Sequence, residues 1–126
     1  MNSPEKKQEL VRASSVEDWN GRPMTTSRMV ALAFHKRHAD VMRDIERLEV
    51  NPAFKRDHFE RATYTSPAGK QLAQYHLTLN GFLCLAATYH GKEAKQITAA
   101  YYDVFIKASY LPGGDPDKDP DGRTNA

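Results

Sequence analysis

Apolar residues recur with a helical period in two adjacent stretches. Met29, Val30, Ala31, Ala33 and Phe34 stand at helical spacing after Ser27. A polar break at His35-Lys36-Arg37-His38 follows. The pattern then resumes as Val41, Ile45 and Leu48, a one-face stripe at i, i+4 and i+7. Thr25, Thr26 and Ser27 offer hydroxyls to the free N–H groups of the first helix. Asn51-Pro52 closes the second, because the residue before proline avoids the helical region. Two short helices that each bury one face across a four-residue break have the form of a helix-turn-helix.

The remaining chain reads as mixed structure. Leu10 to Val16 is a weak strand candidate, Asp18-Trp19-Asn20-Gly21 a tight turn, and Arg22 to Thr25 the returning strand. Phe54 to Phe59 has room for a short helical turn. Phe59 to Thr65 and Gln71 to Leu77 alternate as strands around the turn Ser66-Pro67-Ala68-Gly69. Thr78 can cap a helix over Leu79 to Tyr89, which Gly91 breaks. A long last helix runs from Lys92 to Ser109, with Ile97, Tyr101, Val104, Phe105 and Ala108 on one side. Pro112-Gly113-Gly114 stops it. The expected organisation is a flexible N-terminus over residues 1–8, one domain over 9–109, and a disordered acidic tail over 110–126. The expected fold class is α+β: a winged-helix-like domain with a helix-turn-helix, a β-hairpin wing and a long C-terminal helix.

Charge sharpens this picture. The whole chain carries a formal net charge of only +2. Between Trp19 and Lys107, however, 13 lysines and arginines face 8 carboxylates, a surplus of five. The stretch from Ser109 onward sets Asp115, Asp117, Asp119 and Asp121 against Lys118 and Arg123. A basic body raises local affinity for phosphate. If Val41, Ile45 and Leu48 point inward, the second helix turns Ala39, Asp40, Arg43, Glu46 and Arg47 outward. A groove-reading helix needs a small residue near its start and arginines that reach base edges, and Ala39, Arg43 and Arg47 meet that need. Lys36, Arg37 and His38 precede that helix, where phosphate is attracted. Arg61 and Lys70 flank the hairpin and are its candidates for backbone contact. Asp40, Asp44, Glu46 and Glu49 can pair along the helix with Arg43 and Arg47. A plain amphipathic helical hairpin with a solvated charged face has the same pattern.

Other chemistry finds little support. His35 and His38 stand at i, i+3, a spacing that can hold a metal ion, but no cysteine or well-placed carboxylate completes a ligand set. Cys84 is the only cysteine and sits in an apolar run, as a buried inert thiol would. No phosphate loop, nucleophile elbow or paired-carboxylate motif occurs. The expectation is a binding protein that is not an enzyme and needs no cofactor or metal. The polar start Met1 to Leu10 has no apolar stretch behind it, and no run is long enough to span a bilayer. With one cysteine, this fits a cytoplasmic setting. Tyr101 and Tyr102 cannot face the same way, so one of them is free to support a homodimer contact, although no heptad seam demands it.

The segment MTTSRMVALAFHKRHADVMRDIERL resembles the signature region of the Rha family of phage regulatory proteins. The matching residues are Thr26-Ser27, Phe34, Lys36-Arg37-His38, Val41 and Arg43-Asp44-Ile45. Tyr75-His76-Leu77-Thr78 with Gly81-Phe82 is similar to the family's Tyr-x-Leu-Thr-x-x-Gly-Phe element. Gly91-Lys92-Glu93-Ala94 and the region Tyr102 to Phe105 resemble its closing helix. The resemblance covers about Val16 to Ala108. It implies a phage or prophage regulator acting inside a bacterial host cell. A more distant similarity to phage antirepressor N-terminal domains and KilA-N proteins implies double-stranded DNA as partner. The rival expectation is an antirepressor-like module that sequesters a phage or host regulatory protein, with the acidic tail as its phosphate mimic. One departure stands out: relatives often carry Gly immediately before Lys-Arg-His, where this chain has His35. A left-handed turn is harder for His than for Gly.

Overall fold

The computed structural model describes Val11, residues 15–19 and residues 21–109. The tail expectation over 110–126 and the flexible N-terminus over 1–8 lie outside the described residues. Among the described residues the chain is α+β, with five helices and one four-stranded antiparallel sheet. In chain order these are β1 (Glu17–Trp19), β2 (Arg22–Thr26), α1 (Ser27–Ala33), α2 (His38–Glu46), α3 (Pro52–His58), β3 (Phe59–Thr65), β4 (Gln71–Leu77), α4 (Leu79–Ala86) and α5 (Lys92–Ser109). The sheet order is β1-β2-β4-β3. β4 is central: Leu77 pairs with both Thr25 and Phe59.

The first hairpin is shifted from its expected place. Val11, Ser15 and Val16 are not strand. The strand falls at Glu17–Trp19, with Trp19 directly opposite Arg22. Gly21 takes the left-handed φ of +83° that the tight return requires. Val11 and Val16 instead bury their side chains in the core, so the apolar signal there records packing.

α1 starts where the hydroxyl run marks it. Thr26 Oγ1 accepts from the Met29 N–H at 3.1 Å. The helix ends in a paired closure: Lys36 N–H donates to Ala31 O at 2.9 Å and His35 N–H donates to Leu32 O at 3.3 Å. This closure demands a left-handed residue one position past the cap. His35 occupies it with φ +58°, where a side chain costs on the order of 1 kcal/mol relative to glycine. α2 then buries Val41 and Ile45 completely. Lys55 Nζ donates to the carbonyls of Glu46 (3.0 Å) and Leu48 (3.3 Å), closing the end of α2. The Phe54 to Phe59 stretch is more ordered than a short turn: α3 is a seven-residue helix. Asn51 Oδ1 accepts from the Ala53 N–H at 2.7 Å, and Pro52 fits the first turn because its missing N–H has no helical partner to lose.

The β3–β4 hairpin has the expected bounds. Its turn is held by Ser66 N–H to Lys70 O at 2.8 Å and by Gly69 N–H to Ser66 O at 2.8 Å. Thr78 caps α4, accepting from the Gly81 N–H at 3.2 Å while its hydroxyl meets His58 Nδ1 at 2.7 Å. α4 ends at Ala86, before the expected Tyr89. The Thr88 and Tyr89 N–H groups bond three residues back, to Leu85 and Ala86, in tightened turns. α5 matches its expected span, and buries Ala94, Ile97, Tyr101 and Phe105. Phe82 packs 4.4 Å from the Tyr101 ring, and the Tyr101 hydroxyl sits 3.0 Å from Thr25 Oγ1, joining α4, α5 and β2. Burial pushes the Tyr101 phenol up to about 12, so it remains neutral at physiological pH.

Gly81 is required by contact. A Cβ there would lie 2.5 Å from the His58 carbonyl oxygen, a rigid backbone neighbour. Gly81→Ala is therefore expected to destabilise the fold by about 2 kcal/mol, the usual scale of an overpacked site, as read from chemical denaturation.

Candidate nucleic-acid interface

α2 is held by its surroundings on three sides. Val41 and Ile45 fix its inner face. On one flank His38 Nε2 meets Ser27 Oγ at 2.8 Å, and Met42 Sδ lies 3.5 Å from the same oxygen. On the other flank, Asp44 accepts from the Tyr89 hydroxyl at 2.8 Å. Burial and the adjacent Asp44 carboxylate push that phenol far above its ordinary range. The remaining face carries Ala39, Arg43 and Arg47, all exposed. This is the face expected from the sequence.

The exposed cations are not all free. Asp40, in the first turn of α2, accepts from Arg37 Nε at 3.1 Å and from Arg37 Nη2 at 3.3 Å, and also from Arg43 Nη2. These hydrogen bonds, led by Arg37, hold the Asp40 carboxyl below the usual carboxylate range. Arg37 and Arg43 are thus gathered around one carboxylate beside the start of the helix. Arg47 makes no ion pair among the described residues.

The hairpin contributes to the same region. Arg61 Nη1 lies 3.4 Å from Glu46 of α2 and donates to the Tyr75 hydroxyl at 3.2 Å. Tyr64 of β3 stacks edge-on to His38 at 6.0 Å. It also carries the Arg28 guanidinium 3.9 Å above its ring. Lys70 is exposed at the hairpin turn. The sequence pattern does not single out Arg28, which stands between Ser27 and the apolar run. Its signal was an exposed position in the first turn of α1, and its partner Tyr64 was hidden in a strand pattern.

Two candidates are placed differently from the rest. Lys36 turns toward α4 and lies 4.4 Å over the Tyr89 ring, on the Asp44 flank. His38 is half-buried, and burial followed by the nearby Arg28 charge lowers its pKa from 6.5. It is a neutral ring at physiological pH, engaged with Ser27, rather than a cation. The structure therefore brings Arg37, Ala39, Arg43 and Arg47 to one surface of α2, sets Arg61 beside it through Glu46, and turns Lys36 elsewhere. His35 pairs with Glu93 at 3.7 Å while His38 meets Ser27, so the two histidines do not converge. Among the described residues no three metal-capable side chains cluster. No helix of the described residues is long and apolar enough to cross a membrane.

Comparison with known sequences places the chain in a family. The model of the phage regulatory protein Rha family matches residues 25–109, and the chain belongs to that family. It is 32% identical over 88 residues to an uncharacterized 22.8 kDa protein from the gp15-gp3 intergenic region of Salmonella phage P22, covering 68% of this chain and 44% of the relative. An uncharacterized protein of Haemophilus influenzae is 32% identical over 87 residues, 67% of this chain and 50% of its own. The "SPbeta prophage-derived putative antirepressor protein YoqD" of Bacillus subtilis is 30% identical over 95 residues, 72% of this chain and 38% of its own. The chain thus spans half or less of the length of these relatives. No solved structure matches it.

The two half-buried or buried histidines give a pH signature. His38 and His76 both have lowered pKa values, each chiefly through burial. The unfolded chain therefore binds protons more tightly than the folded one below the ordinary histidine value of about 6.5. Their contribution to stability is flat above that value and falls as pH drops through it. Trp19, whose ring lies 4.1 Å from His76, reports the transition. Melting followed by Trp19 fluorescence should show a lower Tm at pH 5 than at pH 7, and His38→Gln should shrink the difference.

Proposed function

We propose that this protein binds double-stranded DNA through a helix-turn-helix formed by α1 and α2, with α2 in the major groove and the β3–β4 hairpin alongside as a wing. The observation that carries this reading is the outward face of α2. Ala39, Arg43 and Arg47 are exposed there while Val41 and Ile45, on the opposite side, are fully buried. A small residue beside two arginines lets the helix approach base edges and reach guanine acceptors. Arg37, Arg28, Arg61 and Lys70 are suited to phosphate contact, which fixes register without reading sequence. On this reading Lys36 and His38 are secondary: one lies against Tyr89 and the other is neutral. The protein acts by binding, without catalysis or cofactor, as a phage or prophage regulator in the cytoplasm of a host cell.

A second reading draws on the antirepressor designation of the Bacillus subtilis relative. In it the domain sequesters a phage or host regulatory protein, and the aspartates of residues 115–121 stand in for phosphates. Deleting residues 113–126 separates the two. A DNA binder keeps or gains affinity, whereas a tail-dependent protein binder loses its partner.

The direct test is selection from a random double-stranded DNA pool at two salt concentrations, with Arg43→Ala in parallel. An enriched sequence, affinity falling steeply with salt, and a loss of about tenfold or more for Arg43→Ala are expected. Absence of binding at low salt would sink the reading. Asp40→Asn gives an opposite-signed check: with the carboxylate that holds Arg37 and Arg43 neutralised, affinity for non-selected DNA should rise several-fold, as measured by fluorescence anisotropy.

A further inference from the structure

The outer face of α5 is unpartnered and has a particular arrangement. Lys95, Ala99, Tyr102 and Asp103 are exposed on it, with Ile106 half-buried beside them. Tyr102 is 48% exposed, among the most exposed large apolar side chains of the described residues. It borders an open, mainly apolar groove of about 690 Å³ between α4 and α5, lined also by Leu83, Ala87 and Thr98. Groove and stripe are continuous through Ala99 and Tyr102.

We propose that this face docks a second copy of the same chain, with the two α5 helices antiparallel and crossing at Ala99. In a two-fold contact centred on Ala99, each residue meets the one equally far on the other side of the centre. Lys95 then faces Asp103 of the second copy, and Asp103 faces its Lys95, giving two symmetric opposite-charge pairs. Tyr102 lies on the groove side of the stripe, and its ring enters the neighbouring α4–α5 groove. The centre itself is alanine, which lets the helix backbones approach. Charge pairing, the small crossing residue and the adjoining apolar groove all select the same centre. Lys95 makes no ion pair among the described residues. The Asp103 pair with Lys107, at 3.0 Å, is an exposed contact within one helix turn, which leaves the carboxylate available to a second cation. A self-complementary patch of this kind is what a two-fold contact requires. The inference does not depend on DNA binding, since α5 contributes nothing to the exposed face of α2.

Sedimentation velocity across a concentration series tests it directly. The parent chain should dimerise, and Lys95→Asp or Asp103→Lys alone should weaken the dimer by about tenfold or more, because each places like charges opposite each other. The double exchange Lys95→Asp with Asp103→Lys should restore it. Both positions are exposed, so circular dichroism should show unchanged folding. Ala99→Cys in a Cys84→Ala background should form an intermolecular disulfide on mild oxidation. A chain monomeric at every concentration, a dimer indifferent to the single reversals, or a double exchange that fails to recover would each overturn the proposal.

Discussion

One buried hydroxyl sets the geometry on which the α2 surface depends. β2 pairs with β4 at Thr25↔Leu77 and Thr26↔His76, and the chain then turns into α1 at Ser27. The next backbone N–H of β4, at Tyr75, is left without a strand carbonyl. Ser27 Oγ takes that place, accepting from Tyr75 N–H at 3.0 Å. A buried amide without a partner would be costly. The same oxygen meets His38 Nε2 at 2.8 Å, at the first position of α2. A side chain with no exposure thus ties the central strand, the start of α1 and the start of α2 together. The orientation of α2, and hence which of its residues face outward, follows from this node and from the burial of Val41 and Ile45.

The parts of the fold that were legible in the sequence are those where one local signal is enough. The β3–β4 hairpin was visible because strict alternation surrounds a Ser-Pro-Ala-Gly turn, and α5 because Gly91 and the 3.6-residue period bound it. The faces of α2 followed from the same period. Readings failed where tertiary packing supplied the decisive contact. Val11 and Val16 are apolar because the core takes them, not because they alternate in a strand. α3 has a weak apolar period and is held by the Asn51 cap and by Lys55, whose ammonium reaches back to α2. His38 looked like a cation in a Lys-Arg-His run. Its state is decided by Ser27, eleven residues earlier, and by burial that no local pattern encodes.

The charges on α2 are arranged around Asp40 rather than spread along the helix. One carboxylate receives three guanidinium hydrogen bonds, from Arg37 and Arg43. Exposed pairs of this kind contribute little to stability, so their main effect is positional. They keep two long, flexible side chains near the beginning of the helix and lower the net charge seen by a passing polyanion. On the proposed function, phosphate competes with Asp40 for the same donors. Under that reading, contacts that satisfy the arginines better than Asp40 does are favoured, and loose, salt-driven association is disfavoured relative to a well-fitted site. Arg47, outside this cluster, has no such competitor.

The residues that carry the family resemblance divide sharply by role. Thr26 caps α1, Ser27 bridges three elements, Phe34 lies in the core, and Val41 and Ile45 are fully buried. In the second element, Thr78 caps α4, Gly81 makes room for the His58 carbonyl, and Phe82 packs against Tyr101. These positions serve the fold. Among the matching residues from Thr26 to Ile45, only Lys36, Arg37 and Arg43 are exposed, and Lys36 is occupied by Tyr89. A shared signature therefore transmits the scaffold and the orientation of α2. On the proposed function, the identity of what is bound falls to the few side chains of α2 that remain in solvent, above all Ala39, Arg43 and Arg47.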